Sequence, residues 1–438
     1  MQPHDLDAVF EQANRHLEAG KPEDALRCLA PIEGALLEVD DRIEWTALNA
    51  WALTELGRHR EALDRLEPLL AEFDESARLL GALGVVFSNM GRLEDACEVL
   101  EHAQELDPED HSLVANLGLV YEKLNQFENA LSRYDEALAR GGEVDWLLQR
   151  RAAVQTELGD DRGAAATIKR YLSLAPDDDA QWINLAILYS DQDDFASAFA
   201  CFAEAARVAP DSPLLRLNWG VTAVRAKRID VAREQLEVLN RIDPGSSRPI
   251  LLQAFILEEE GGLDAARAEY RRALAACAPG DDAERTYALE MAMDFAARHE
   301  LMDECDALFT QAYRENACTL ELCEPYREAK GEPLDRASWF SVTIEADYRA
   351  GLCEIADTET AEPQGPPTRY QRVFQVVARD RDDALTSIRN VLDQNGETNA
   401  VIREFLNEES LENTYSGIYE IERDSLVFRA ERSAGDRT

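Results

Sequence analysis

The residue types able to do chemistry are sparse in this chain and poorly spaced for it. Eight cysteines stand at 28, 97, 201, 277, 305, 318, 323 and 353, and no two form C-x-x-C. Cys305, Cys318, Cys323 and Cys353, with His299, make the one grouping of metal-ligating types. Tetrahedral zinc wants four such ligands, normally delivered as close pairs. The four residues between Cys318 and Cys323 are a weak match, and most of the cysteines sit in Ala-rich stretches where a reduced thiol acts as a small apolar side chain. The six histidines, at 4, 16, 59, 102, 111 and 299, are dispersed. There is no H-E-x-x-H, no G-x-S-x-G, no EF-hand loop and no Gly-rich phosphate loop. The acid runs Asp177–Asp179 and Glu258–Glu260 lack the spaced ligands of a calcium loop and read as helix ends or solvated faces. No catalytic residue, cofactor or metal is expected.

Composition points the same way. The formal charge is −42 and the pI about 4.4, the opposite of what a phosphate backbone or an anionic membrane surface attracts. Direct nucleic-acid or membrane binding is therefore not expected, whereas a basic protein partner is compatible. At 45% apolar residues the chain can bury a core. No run approaches the ~20 apolar residues that span a bilayer. Met1 to Gly20 has neither a basic nor an apolar leader region, so a cytoplasmic location is the expectation.

The elements that would position any site repeat. Gly57, Gly91, Asn125, Gly159, Asp193, Lys227 and Gly261 follow one another at intervals of 34 residues, with Gly20 before and Glu300 after at slightly longer spacings. With each taken as position 15 of a unit, position 8 is small almost throughout, from Ala13, Ala50 and Gly84 to Ala254. Position 20 is alanine in eight units, Ala25 to Ala266, and Cys305 in the ninth. Position 24 is large: Leu29, Leu66, Leu100, Tyr134, Ile168, Phe202, Leu236, Tyr270 and Phe309. Small residues let two antiparallel helices approach, the large one fills the space beside them, and Pro108, Pro176, Pro210 and Pro244 stop the second helix. A lone helix pair cannot bury its apolar face, so the units must stack.

Trp182, Leu185, Ala186, Tyr189, Ala198, Phe202, Ala205 and Pro210 carry the pattern most fully. This pattern resembles the tetratricopeptide repeat family over about residues 6–319. The resemblance implies a mainly α fold, a right-handed α-solenoid of about nine helix pairs. The units fall near 6–39, 43–76, 77–110, 111–144, 145–178, 179–212, 213–246, 247–280 and 286–319, followed by a capping helix, giving a repeat domain over 1–331. It also implies that first helices line a concave groove through positions 2, 5, 9, 12 and 13. On that basis Ile183, Ile187, Leu217, Val221, Leu251 and Phe255 form an apolar strip across units six to eight, with Glu157, Asp191, Arg225, Glu258 and Glu259 at its rim. Phe10 and Trp51 form a separate aromatic point. The competing reading is that these side chains pack against neighbouring helices. Positions 5 and 9 carry almost no Lys or Asn, which argues against the carboxylate clamp of one subclass of the family.

Beyond about residue 331 the period stops. Ser338 to Tyr348 and Gln371 to Ala378 read as strands, and Asp380 to Asp393 as an amphipathic helix with an acidic start. Val401 to Glu408 reads as a further helix, and Ile418 to Glu422 with Leu426 to Arg429 as two short strands joined by a turn at 423–425. Residues 332–438 are expected to form a small α+β domain, ferredoxin-like in arrangement, with a Pro-rich loop at 358–368 and a frayed tail. The function expected of the whole is a non-catalytic scaffold or adaptor. It would take a partner's peptide or amphipathic, basic helix in the groove, with the last domain as a second interaction or dimerisation surface. The alternative is an acidic nucleic-acid mimic or chaperone that masks a basic protein. An enzyme sited in the last domain is the third reading, and no residue set supports it.

Overall fold

The computed structural model describes residues 3–32, 38–141, 145–278, 282–331, 333–347, 369–395, 397, 399–421 and 427–429. Cys353, the Pro-rich 358–368, the turn at 423–425 and the tail lie outside them. Nine helix pairs come first: α1 (Pro3–Glu18) with α2 (Pro22–Leu29), α3 (Val39–Glu55) with α4 (His59–Leu70), α5 (Ala77–Asn89) with α6 (Leu93–Leu106), α7 (His111–Lys123) with α8 (Phe127–Ala139), and α9 (Asp145–Glu157) with α10 (Asp161–Leu174). They continue with α11 (Asp179–Asp191) and α12 (Phe195–Val208), α13 (Pro213–Arg225) and α14 (Ile229–Ile242), α15 (Arg248–Glu259) and α16 (Leu263–Ala276), and α17 (Asp282–Arg298) and α18 (Met302–Arg314). A single helix, α19 (Leu320–Lys330), follows.

The columns explain the pairs. Four first helices, α5, α7, α11 and α13, start on side-chain caps, as where Asp110 Oδ1 accepts from Ser112 N at 2.8 Å and Asp178 Oδ1 from Gln181 N at 3.1 Å. They end at the position-15 residue, which takes a left-handed backbone in all nine pairs, at φ 64° in Gly20, 71° in Gly57, 57° in Asp193, 59° in Lys227 and 53° in Glu300 among them. The neighbouring amides close the helix end, as where Gly57 N donates to Thr54 O and Arg58 N to Leu53 O, both at 2.9 Å. Position 20 is fully buried, at 0% exposure in every pair. A Cβ added at Gly118, position 8, would lie 2.6 Å from the Tyr134 ring, so the large residue at 24 seats into the notch left by the small one at 8.

The chain divides into two compact units, Met1–Pro210 and Asp211–Thr438. The first holds α1 to α12. The second holds α13 to α19 and then β1 (Pro333–Asp347), β2 (Arg369–Ala378), α20 (Arg381–Gln394), β3 (Val401–Tyr415), β4 (Gly417–Ile421) and β5 (Val427–Arg429). The division falls inside the repeat array rather than at 331/332. The change of secondary structure at 331/332 is no gap in packing. One apolar cluster runs from Leu251 and Phe295 through Phe309, Tyr313 and Leu322 to Val342, Phe374, Ile388 and Ile421.

The sheet order is β3-β1-β2-β4, with β5 also on β2, and every pairing is antiparallel. Two expectations are corrected here. Val401–Glu408 is not a helix but the start of β3, which runs along β1 with Val342 opposite Phe405. Its apolar residues at 401, 402, 405 and 406 mimic a helical period because β3 lies at the edge of the sheet, where outward apolar residues are not removed to a second core. The order of described elements, β-β-α-β-β-β, has one helix and not the two of a ferredoxin-like unit. The two short strands expected near 418–422 and 426–429 are present as β4 and β5, and among the described residues each pairs with β2 rather than with the other. Both run antiparallel to β2 along the same edge, Phe374 opposite Ile421 and Gln371 opposite Val427, so the chain keeps one direction through them.

Candidate functional site

The first helices present two apolar columns that behave differently. At position 5, Ala47, Gly81, Ala115, Ile183, Leu217 and Leu251 are all buried, because that column faces the adjoining helices. At position 9, Trp51, Val85, Leu119, Ile187, Val221 and Phe255 are all half-buried and Ala153 is exposed. The expected strip is therefore split. Ile183, Leu217 and Leu251, at 2, 4 and 0% exposure, are structural core. Ile187 in the first unit, and Val221 and Phe255 in the second, keep a face toward solvent. Phe255 rests edge-on against Tyr270, ring centroids 5.8 Å apart. The aromatic point at the start of the chain is likewise packed. Phe10 sits in a buried cluster with Leu6, Ala13, Leu48 and Ala52, and Trp51 lies against that cluster.

The rim acids divide in the same way. Glu157, Asp191 and Arg225 are exposed. Glu258 instead faces inward at 10% side-chain exposure. Its Oε1 lies 2.5 Å from Arg298 Nη1 and 2.9 Å from His299 Nε2, and its Oε2 accepts the Tyr270 hydroxyl at 3.0 Å. Burial first, and then the negative Glu258, pushes that hydroxyl well above the usual phenol range. Glu259 is answered by Lys227 Nζ at 2.6 Å. An acid at position 12 with a tyrosine at 24 recurs in the first unit, where Glu122 accepts from Tyr134 at 2.7 Å and from Arg150 Nε at 3.1 Å. These acids tie one repeat to the next and are not free to meet a partner.

The cysteines have structural places. Cys305 fills the buried position 20, while Cys318 and Cys323 precede and enter α19 around its capping Thr319, both buried, as a hydrophobic staple requires. Among the described residues no group of three or more His, Cys, Asp or Glu is arranged to hold a metal. Asp178, from the acid run 177–179, is the cap of α11 and also accepts the Tyr171 hydroxyl at 2.7 Å. The phenol there is pushed up to about 12, by burial and then by the carboxylate.

One polar cluster has no counterpart in the sequence reading. Glu397, 7% exposed, accepts the Tyr313 hydroxyl at 2.6 Å through Oε1. Arg372, 2% exposed, lies 4.4 Å over the Tyr313 ring and 5.6 Å from that of Tyr370. Glu397 Oε2 and Arg372 Nε have no hydrogen-bond partner among the described residues. Burial raises the Glu397 carboxyl to about 7, against the smaller lowering by the Tyr313 hydrogen bond.

Two family models match. One, described as the N-terminal TPR repeats region of Psidin, covers residues 29–132, and the other, described as tetratricopeptide repeat, covers residues 183–247. No family model matches the carboxy-terminal domain, and no curated protein matches the chain. Solved structures similar to it include a tetratricopeptide repeat protein from Parabacteroides merdae, at 19% identity and a TM-score of 0.47, covering 54% of this chain and 91% of that one. The Cut9-Hcn1 hetero-tetramer of the APC/C is similar at 16% identity and 0.45, covering 68% and 57%. YrrB, a repeat protein described as having an unusual peptide-binding site, is similar at 20% and 0.39, covering 45% and 97%.

Proposed function

From a chain that carries tetratricopeptide repeats, we infer a protein-interaction scaffold that takes a partner's peptide or helix on the exposed face of its first helices. One observation carries this. Position 9 is apolar in five successive pairs of the first unit, from Trp51 to Ile187, and in two of the second, at Val221 and Phe255, and in none of them is it sealed from solvent. A column needed only for packing has no reason to stay half-open while position 5 beside it is closed. Apolar anchors at helical or extended spacing suit the face of a partner segment. The exposed Glu157 and Asp191 favour basic residues beside it. Residues 333–429 supply a second surface.

The test begins with affinity capture and mass spectrometry to identify the partner. Val221→Ser and Phe255→Ser, both in the second unit, should singly and together weaken its binding by about tenfold or more while helical content stays intact. Unchanged affinity in the double variant would sink the placement. Salt separates the acidic-mimic reading, since a steep fall in affinity with ionic strength, with competition by DNA, favours the mimic, and mild dependence favours apolar docking.

A further inference from the structure

β3 lies at the end of the sheet, and among the described residues its one strand neighbour is β1. It is 15 residues long, against roughly 5–6 for an average strand. The far side of an edge strand presents unpaired backbone N–H and C=O groups, a template for another strand. Proteins usually blunt such an edge with charged side chains, proline, brevity or β-bulges, and the pairing of β3 with β1 shifts register twice, between Trp339 and Phe340 and between Thr343 and Ile344. The sequence of β3, VIREFLNEESLENTY, has neither lysine nor proline. Val401, Ile402 and Leu406 instead stand 45, 38 and 48% exposed within six residues. The register places Val401, Glu404 and Leu406 opposite Glu345, Thr343 and Ser341, on the sheet face away from the shared core. Arg403 is already committed, its Nε donating to Glu345 Oε2 at 2.8 Å. Glu404 is exposed as well.

We propose that the edge of β3 away from β1 docks an extended segment of a partner protein in which apolar and basic residues alternate along one face. Backbone pairing supplies the affinity, the apolar residues cover Val401 and Leu406, and the basic ones answer Glu404. A second copy of β3 fits poorly, because self-pairing sets four glutamates and one arginine against the same set. The proposal deepens the reading of residues 333–429 as a second surface and rests on that clause; the groove reading stands or falls without it.

The full chain should bind the synthetic peptide Val-Thr-Lys-Thr-Val-Thr-Lys-Thr, measured by fluorescence anisotropy. The version with Glu for Lys should not bind. A version with proline at its centre keeps the charge but loses strand pairing, and should bind about tenfold more weakly. Leu406→Lys should cost about as much, and Val401→Lys, at another exposed site, guards against a folding artefact in the first variant. Amide hydrogen exchange should slow across 401–415 when the peptide is added. Equal binding of the proline version overturns the proposal, because charge alone then suffices. Protection elsewhere in 333–429 overturns it while sparing the second surface, and no protection there at all removes both. A concentration-dependent dimer abolished by Leu406→Lys also overturns it, assigning the edge to a second copy.

Discussion

Leu217 and Val221 are one turn apart on α13, and the structure gives them opposite work. Leu217→Ala, at a fully packed site, should lower stability by about 2–5 kcal/mol in urea denaturation and affect binding only through unfolding. Val221→Ser should cost less than about 1 kcal/mol and act on partner affinity. Both residues look alike in sequence, because an apolar side chain on a first helix suits either a core or a groove. Only the packing of neighbours distinguishes position 5 from position 9. Glu397 was beyond the sequence for another reason, since its partner Tyr313 is 84 residues away. Its carboxyl titrates near 7 in the fold, against about 4.3 when exposed. The native state therefore holds more protons than the unfolded chain between those values, and stability falls as pH rises through that window. Tyr313 donates to the group, and Arg372 and Tyr370 in turn lie against Tyr313. Glu397→Gln should flatten this slope and raise stability above pH 7 by on the order of 3 kcal/mol, read from melts at pH 5 and pH 8.

Among the elements, the turns are the most legible part of the chain and also the most strained. The 34-residue interval located seven of the nine left-handed turn residues, with Gly20 and Glu300 at longer spacings, although four of the nine are Asn125, Asp193, Lys227 and Glu300 rather than glycine. Glu300→Gly should stabilise the protein by about 0.5–1 kcal/mol by relieving a side chain from φ 53°. Gly159→Ala, at φ 71°, should destabilise it by about 1 kcal/mol. Thermal melts of the two variants would show opposite shifts, and shifts of the same sign would contradict this account. The strands were harder to read. β1 alternates in sequence because Phe340, Val342, Ile344 and Ala346 meet a core, but β3 does not, since its apolar residues answer to an edge. A single-sequence pattern reports burial, and where burial is incomplete the pattern weakens.

At the scale of the whole molecule, the repeats and the sheet cannot be separated where the sequence suggests. The cluster that contains Tyr270, Phe295 and Phe309 also contains Val342, Phe374 and Ile388. A fragment of residues 332–438 should therefore fail to fold alone, giving a collapsed amide proton NMR spectrum and rapid proteolysis, whereas a fragment of 211–438 should give dispersed signals. A dispersed spectrum from the shorter piece would overturn this. The sequence signalled the change from helix to strand but not the shared core, because Tyr313 and Phe374 advertise burial without saying against what. That core also bears on how such an array could have grown. Helical repeats multiply by duplication, and each new copy needs an open apolar face to stack upon. Here α19 and the sheet already occupy the face beyond the ninth pair, so copies gained or lost among related chains should fall before α17, leaving the carboxy-terminal end fixed in length.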